Sequence, residues 1–154
     1  MATTRGACGA DNIIGVMKIL FLDIDGVLNC ATSNFSGNGF PIDPYMAILV
    51  DRIIQATGCK VVLSSSWKHH PRGIEEVSRF VPIIDKTGDE PGIRGNEIKA
   101  WLDRQEVKSD FFVSRYAILD DDSDMLPDQP LFKTSWKEGL TQEIANKVIE
   151  HLNS

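Results

Sequence analysis

The chain has 154 residues, 42% of them hydrophobic and 25% charged, which suits an ordinary globular domain that needs no staples of disulfide or metal. Against 16 Lys and Arg stand 22 Asp and Glu, a formal charge of −6, and a protein built chiefly to grip nucleic acid is normally basic. Cys8, Cys30 and Cys59 show no C-x-x-C spacing, which argues against a disulfide framework or structural zinc and implies a reducing, cytoplasmic setting.

Residues 1–16 read as a loose leader and residues 17–154 as the folded domain, with Met17 a possible alternative start. The apolar run after Asp11 is broken by Lys18, unlike a secretory h-region. No stretch approaches the ~18 apolar residues of a membrane span.

In chain order, short apolar runs alternate with amphipathic segments. Residues 18–22 form a run of strand length ending in Asp23. Asp43-Pro44 supplies a carboxylate cap and a proline at the first helical position. Met46, Leu49, Val50, Ile53, Ile54 and Thr57 share one face of that helix, and Gly58 stops it. Residues 60–63 are a second buried strand, followed by Ser64, Ser65 and Ser66. A weaker helix after Pro71 carries Ile74, Val77 and Phe80, and residues 81–84 read as a third strand. A polar loop over 85–92 leads to a helix marked by Ile98, Trp101 and Leu102 and opened near Gly95-Asn96. Residues 116–119 are a strand running into Asp120-Asp121-Asp122, and residues 131–134 a last strand. Thr141 caps a closing helix with Ile144, Ala145, Val148, Ile149 and Leu152 on one stripe.

Strands of this kind separated by helices imply a single doubly wound α/β domain, a parallel sheet covered on both faces. Ligands of such sheets sit beyond the carboxyl ends of the strands. Three strand ends there carry Asp23-Ile24-Asp25-Gly26, Ser64-Ser65-Ser66 and Asp120-Asp121-Asp122-Ser123-Asp124. Carboxylates gathered round one crevice repel one another unless a cation is held, and magnesium favours a few carboxylates, waters and a phosphate. One carboxylate of an Asp-x-Asp pair can attack phosphorus while the other handles the protons. A hydroxyl and backbone N–H groups can hold the phosphoryl oxygens.

Phe21-Leu-Asp-Ile-Asp-Gly-Val-Leu-Asn29 resembles the first motif of the haloacid dehalogenase (HAD) superfamily of phosphohydrolases. Val61-Val-Leu-Ser64 resembles its second motif and Ala117-Ile-Leu-Asp120-Asp121 its fourth, in the right order. Ser65-Ser-Trp-Lys68, Arg94-Gly-Asn-Glu-Ile98 and Gly139-Leu-Thr141 further resemble the small HAD domains associated with RNA repair proteins.

The resemblance implies a Rossmann-like HAD fold with minimal or no cap. It makes Asp23 the nucleophile and a magnesium ligand, and Asp25 the acid/base, lending its backbone carbonyl to the metal. Ser64 would bind the phosphoryl group, with Ser65 its competitor. The fourth motif has two readings: an adjacent pair, with Asp121 the metal ligand and Asp120 its neighbour, or a spaced pair of Asp120 and Asp124. The adjacent pair is preferred, because Leu119 stands where the spaced form has glycine. The third-motif cation is Arg94, with Lys86 and Lys99 as competitors.

A receiver-type phosphoacceptor module would place an adjacent acidic pair after its first strand, whereas here that strand carries Asp-x-Asp. A non-catalytic HAD-like binding module would not require both Asp23 and Asp25. About fifteen residues rich in Gly, Ser and Asn, 29–43, separate the first motif from the next helix and read as a flap, too short for a cap domain. An uncovered crevice suggests a large phosphorylated substrate such as an RNA or DNA end, with Trp67, Lys68 and Arg72 for stacking and backbone contacts, and His69 and His70 nearby. A phosphoprotein or a small metabolite is the alternative. Oligomeric state is not legible.

Overall fold

A computed structural model describes residues 15–33, 39–108 and 111–154. Most of the expected leader therefore lies outside the described residues, as does the middle of the expected flap. The described chain runs β1 (Gly15–Leu22), α1 (Pro44–Thr57), β2 (Lys60–Leu63), a 3-10 turn (Ser66–His69), α2 (Pro71–Ser78), β3 (Ile83–Lys86), α3 (Arg94–Lys108), β4 (Phe111–Asp120), β5 (Leu131–Lys133) and α4 (Gln142–Leu152).

The five strands form one sheet in the order β3-β2-β1-β4-β5, and every neighbouring pair is parallel. Order reverses at β1, as in a doubly wound sheet, which puts the ligand crevice at the carboxyl end of β1. Both faces are covered. Leu20, Leu22, Val61, Leu63, Ala117 and Leu119 pack with Leu49, Val50 and Ile53 of α1, Val77 of α2 and Ala145, Val148 and Leu152 of α4. On the opposite face Ile19, Phe21, Val62 and Ile118 pack with Ile98 and Trp101 of α3. Phe21 there meets Trp101 edge-on at 5.4 Å and Tyr116 at 5.8 Å, contacts worth about 1 kcal/mol each beyond area burial.

Helix α1 forms as its sequence dictates. Asp43 accepts from Tyr45 N, Pro44 opens the helix and Gly58 ends it at φ 73°. Thr141 caps α4 by accepting from Ile144 N.

The strand bounds depart from the sequence reading in four places, the last strand ending at Lys133 and not 134. The third begins at Ile83, not 81, because Val81 N still bonds Val77 O and its side chain is buried at the end of α2. Asp85 and Lys86 therefore belong to the edge strand and not to a loop, and Asp85 accepts from Trp101 Nε1 at 2.9 Å. Phe80 leaves the expected apolar stripe, since it lies past α2 and is exposed. The fourth strand starts at Phe111, five residues early. Its first half pairs with Gly15 to Lys18, so the first strand begins three residues before the expected run and Gly15 and Val16 of the expected leader are strand.

Among the described residues no helix or strand lies between Leu22 and Pro44, or between Lys86 and the start of α3 at Arg94. Nor is any of their helices long and apolar enough to cross a membrane.

Candidate active site

Parallel register brings the reactive strand ends level. Leu22 of β1 is the Cα partner of Leu63 on one side and Leu119 on the other. The next residue of each strand is therefore Ser64, Asp23 and Asp120. Asp23 N donates to Leu119 O at 3.0 Å and Ser64 N to Leu22 O at 2.9 Å, so the ladder continues one step into the site. Thr134 N donates to Asp120 O at 3.0 Å, and Thr134 Oγ1 to Gly26 O at 2.6 Å, adding the end of β5.

Asp23, Asp120 and Asp121 each offer a carboxylate oxygen within 4.8 Å of the others. Asp23 and Asp120 are buried, at 5% and 0% exposure. Arg94, the first residue of α3, reaches across with Nη1 2.8 Å from Asp120 Oδ2 and 3.1 Å from Asp23 Oδ1. Its position is fixed by the acidic loop itself: Arg94 N donates to Asp124 Oδ2 at 3.3 Å and Gly95 N to Asp124 O at 3.1 Å. Anionic groups at a helix N-terminus complement its dipole.

One guanidinium between two buried carboxylates leaves negative charge in excess. Burial and the charge of Asp120 outweigh Arg94 and push the Asp23 carboxyl up to about 8. Asp121 is raised by burial and by Asp120 as well. Burial opposes the charge on Arg94, but Asp23 and Asp120 more than offset it and raise its pKa. The cluster carries more negative than positive charge, and hard oxygen ligands of this kind fit magnesium.

The structure separates Ser64 from Ser65. Ser65 Oγ caps the 3-10 turn by accepting from Trp67 N at 3.1 Å. Ser64 Oγ is buried with no hydrogen-bond partner among the described residues, and a buried hydroxyl left unpaired costs about 1–3 kcal/mol.

Asp25 stands apart from the carboxylate cluster. It is exposed, with Oδ1 accepting from Asn29 Nδ2 at 3.0 Å and Oδ2 from Trp67 Nε1 at 3.2 Å. Gly26 then turns the chain at φ 83°, with its N–H donating to Asn29 Oδ1 at 2.9 Å.

Of the three cations considered, Arg94 is the one that meets Asp23. Lys99 pairs with Asp103 on the outer surface of α3, and Lys86 Nζ donates to Lys68 O at 3.3 Å. Two expected substrate contacts are buried instead. Trp67 is 4% exposed, held edge-on to Phe40 at 5.1 Å, and offers no open face for stacking. Lys68 is 7% exposed, its ammonium committed to Thr87 Oγ1, Gly88 O and Glu97. His69 sits 3.2 Å from Asp89. Arg72 is exposed on α2.

Sequence reading missed Asn29, Thr134 and Trp136. Asn29 lies four residues after Asp25 and three after Gly26, the spacing of a side chain that closes a turn on its own backbone. Trp136 is 49% exposed, and its carbonyl accepts from Ala31 N at 2.8 Å, so it lies where the chain leaves the first motif.

No curated protein and no solved structure matches this chain. A family described as the HAD domain in Swiss Army Knife RNA repair proteins matches it over residues 19–145, from β1 into α4 and across every strand end described above. The chain belongs to that family of HAD domains.

Proposed function

We propose that the protein is a magnesium-dependent phosphomonoester hydrolase that works through an aspartyl phosphate on Asp23. Membership in a HAD family supports a phosphohydrolase in general. The observation that carries the finer reading is the juxtaposition of the Asp23–Asp120–Asp121 carboxylates with the unpartnered, buried hydroxyl of Ser64 on the adjoining strand end.

Asp23, Asp121 and the backbone carbonyl of Asp25 would hold the metal, with Asp120 beside them. Bound there, magnesium supplies positive charge that keeps Asp23 ionised and offsets the charge of the phosphate. Asp23 attacks phosphorus; its O–P bond forms as the bond from phosphorus to the leaving oxygen breaks. Asp25 gives its proton to that oxygen. Asp25 then takes a proton from water as the water oxygen attacks the phosphoenzyme, which frees inorganic phosphate and restores both carboxyl groups. Ser64 and backbone N–H groups hold the non-bridging oxygens, and Arg94 steadies the charge of the transferring group.

The substrate is large, a nucleic acid terminal phosphate. Among the described residues no helix or strand is inserted after β1 before α1 or after β3 before α3, which supports a site without a cap domain. Affinity must then come from contacts beyond the phosphate, for which exposed Trp136 and Arg72 lie outside the buried cluster. The test is turnover of phosphorylated oligonucleotides with magnesium, with chelator, and in Asp23→Asn. Metal-dependent turnover that disappears in Asp23→Asn supports the reading; undiminished turnover in Asp23→Asn removes Asp23 as nucleophile.

A further inference from the structure

Trp67 and Asn29 have a shared target. An exposed carboxylate on a strand-end turn ordinarily samples several orientations, yet each oxygen of Asp25 is held by a different side chain. Asn29 donates to Oδ1 at 3.0 Å and Trp67 to Oδ2 at 3.2 Å. Both donors are themselves buried, Asn29 fully and Trp67 to 4% exposure, so neither can drift. Asn29 is locked on two further sides, accepting from Gly26 N at 2.9 Å and donating to Pro41 O at 3.0 Å. Trp67 is locked by Phe40, whose ring meets it edge-on at 5.1 Å. Room for that pair exists because α2 carries Gly73: a Cβ there would stand 2.9 Å from the Phe40 ring and 3.3 Å from Trp67.

We infer that Trp67 and Asn29 are positioning residues for Asp25, fixing the plane of its carboxyl group so that a proton passes between it and the leaving or attacking oxygen. The inference rests on the phosphohydrolase reading above and names the residues that hold its acid/base. One donor per oxygen leaves each oxygen a free lone-pair direction, so the carboxyl is oriented without being blocked. Loss of orientation at a proton-transfer group costs rate without costing affinity for the phosphate. Consecutive residues Phe40 and Pro41 brace one donor each, so the chain entering α1 bears on both halves of the clamp.

The test is Trp67→Phe, which keeps an aromatic ring against Phe40 and removes the N–H. The readout is kcat/KM, which covers steps through phosphoenzyme formation, for an alkyl phosphate and for 4-nitrophenyl phosphate. General acid catalysis is worth ~10²–10⁴-fold for a leaving group that needs a proton. The variant is expected to lose about tenfold or more on the alkyl ester and much less on the nitrophenyl ester, with KM little changed. The same substitution placed on Asp25→Asn should cost little further, since the two act on one step. Equal losses on both esters, or an undiminished effect in the Asp25→Asn background, overturn the inference. Asn29→Ser repeats the comparison from the other oxygen, and thermal melts of each variant separate misfolding from misorientation. Wild-type protein and Asp23→Asn run alongside: if both turn over equally, the aspartyl-phosphate reading on Asp23 fails first and this inference falls with it.

Discussion

Gly26 and Asp121 crowd the same small space from the loops that follow two neighbouring strands. A Cβ built on Gly26 would lie 2.8 Å from Asp121 Cβ and closer still to its carboxylate, and the Gly26 backbone is left-handed at φ 83°. The glycine after Asp-x-Asp thus serves two ends: it makes the turn and gives the acidic loop access to Asp23.

Gly26→Ala should consequently damage the metal site more than the fold. The left-handed backbone alone costs an alanine about 1–2 kcal/mol. The larger effect is displacement of the Asp121 carboxylate away from Asp23, which should weaken magnesium binding by roughly tenfold or more. Thermal melts and magnesium titrations on the purified variant check both parts. An affinity equal to wild type would mean that Asp121 is not a ligand or that it relocates freely.

Magnesium binding should release protons, and apo stability should fall as pH rises. The Asp23 carboxyl is raised by burial and by Asp120 to about 8, from an ordinary value near 4. Between those values the folded apo protein holds a proton that the unfolded chain has lost. Stability therefore declines with increasing pH across that window, is fully present below pH ~4 and is lost above about 8 as far as this group is concerned. Metal needs the ionised carboxylate, so its affinity should weaken as pH is lowered through the same range. Melting curves from pH 5 to 9 with and without magnesium, repeated on Asp23→Asn, read this directly. A slope unchanged in Asp23→Asn would assign the titration elsewhere.

The strand ends were legible from sequence because fully buried parallel strands are written as plain apolar runs. Lys60–Leu63 and the end of Gly15–Leu22 stand where those runs stand. Ile83–Lys86 was displaced by two residues because an edge strand tolerates Asp85 and Lys86 where a central one would not. The early half of Phe111–Asp120 alternates exposed and half-buried residues and has no continuous run to find. In the site, Asp23, Ser64 and Asp120 follow from topology alone. Trp67 could not be placed that way, because whether an indole faces solvent or Asp25 depends on Phe40 and Gly73, distant in sequence.

Asp121 and Asp124 should separate cleanly. Asp121 belongs to the carboxylate cluster with Asp23 and Asp120, whereas Asp124 Oδ2 accepts from Arg94 N at the start of α3. Asp121→Ala should weaken magnesium binding by tenfold or more with little loss of apo stability. Asp124→Ala should cost about 1 kcal/mol, as loss of a helix N-terminal acceptor does, and affect metal only weakly. Calorimetric titration of both variants beside their melts decides it. Were Asp124→Ala the one that loses metal, the spaced pair of Asp120 and Asp124 would be the ligand set.

Substrate size is the last expectation, and it turns on what surrounds the crevice. Among the described residues no helix or strand is inserted between β1 and α1 or between β3 and α3, so no cap domain is there to enclose a small metabolite. Trp67 cannot supply a stacking surface, being buried against Phe40. Trp136 can: it is 49% exposed, two residues past Thr134, whose hydroxyl donates to Gly26 O in the site. Stacking of one base on an aromatic ring is worth about 1–3 kcal/mol. A phosphorylated oligonucleotide should accordingly exceed the matching mononucleotide in kcat/KM by about tenfold or more. Trp136→Ala should erase much of that advantage while changing the mononucleotide little, because a ring that contacts only the distal nucleotide contributes nothing to a substrate lacking one. The −6 net charge opposes long-range attraction of a polyanion, so the advantage should appear in dissociation more than in association, and be larger at moderate than at very low salt. A mononucleotide that matches the oligonucleotide would refute a macromolecular substrate of this kind, and a phosphopeptide that outperforms both would move the assignment to phosphoproteins.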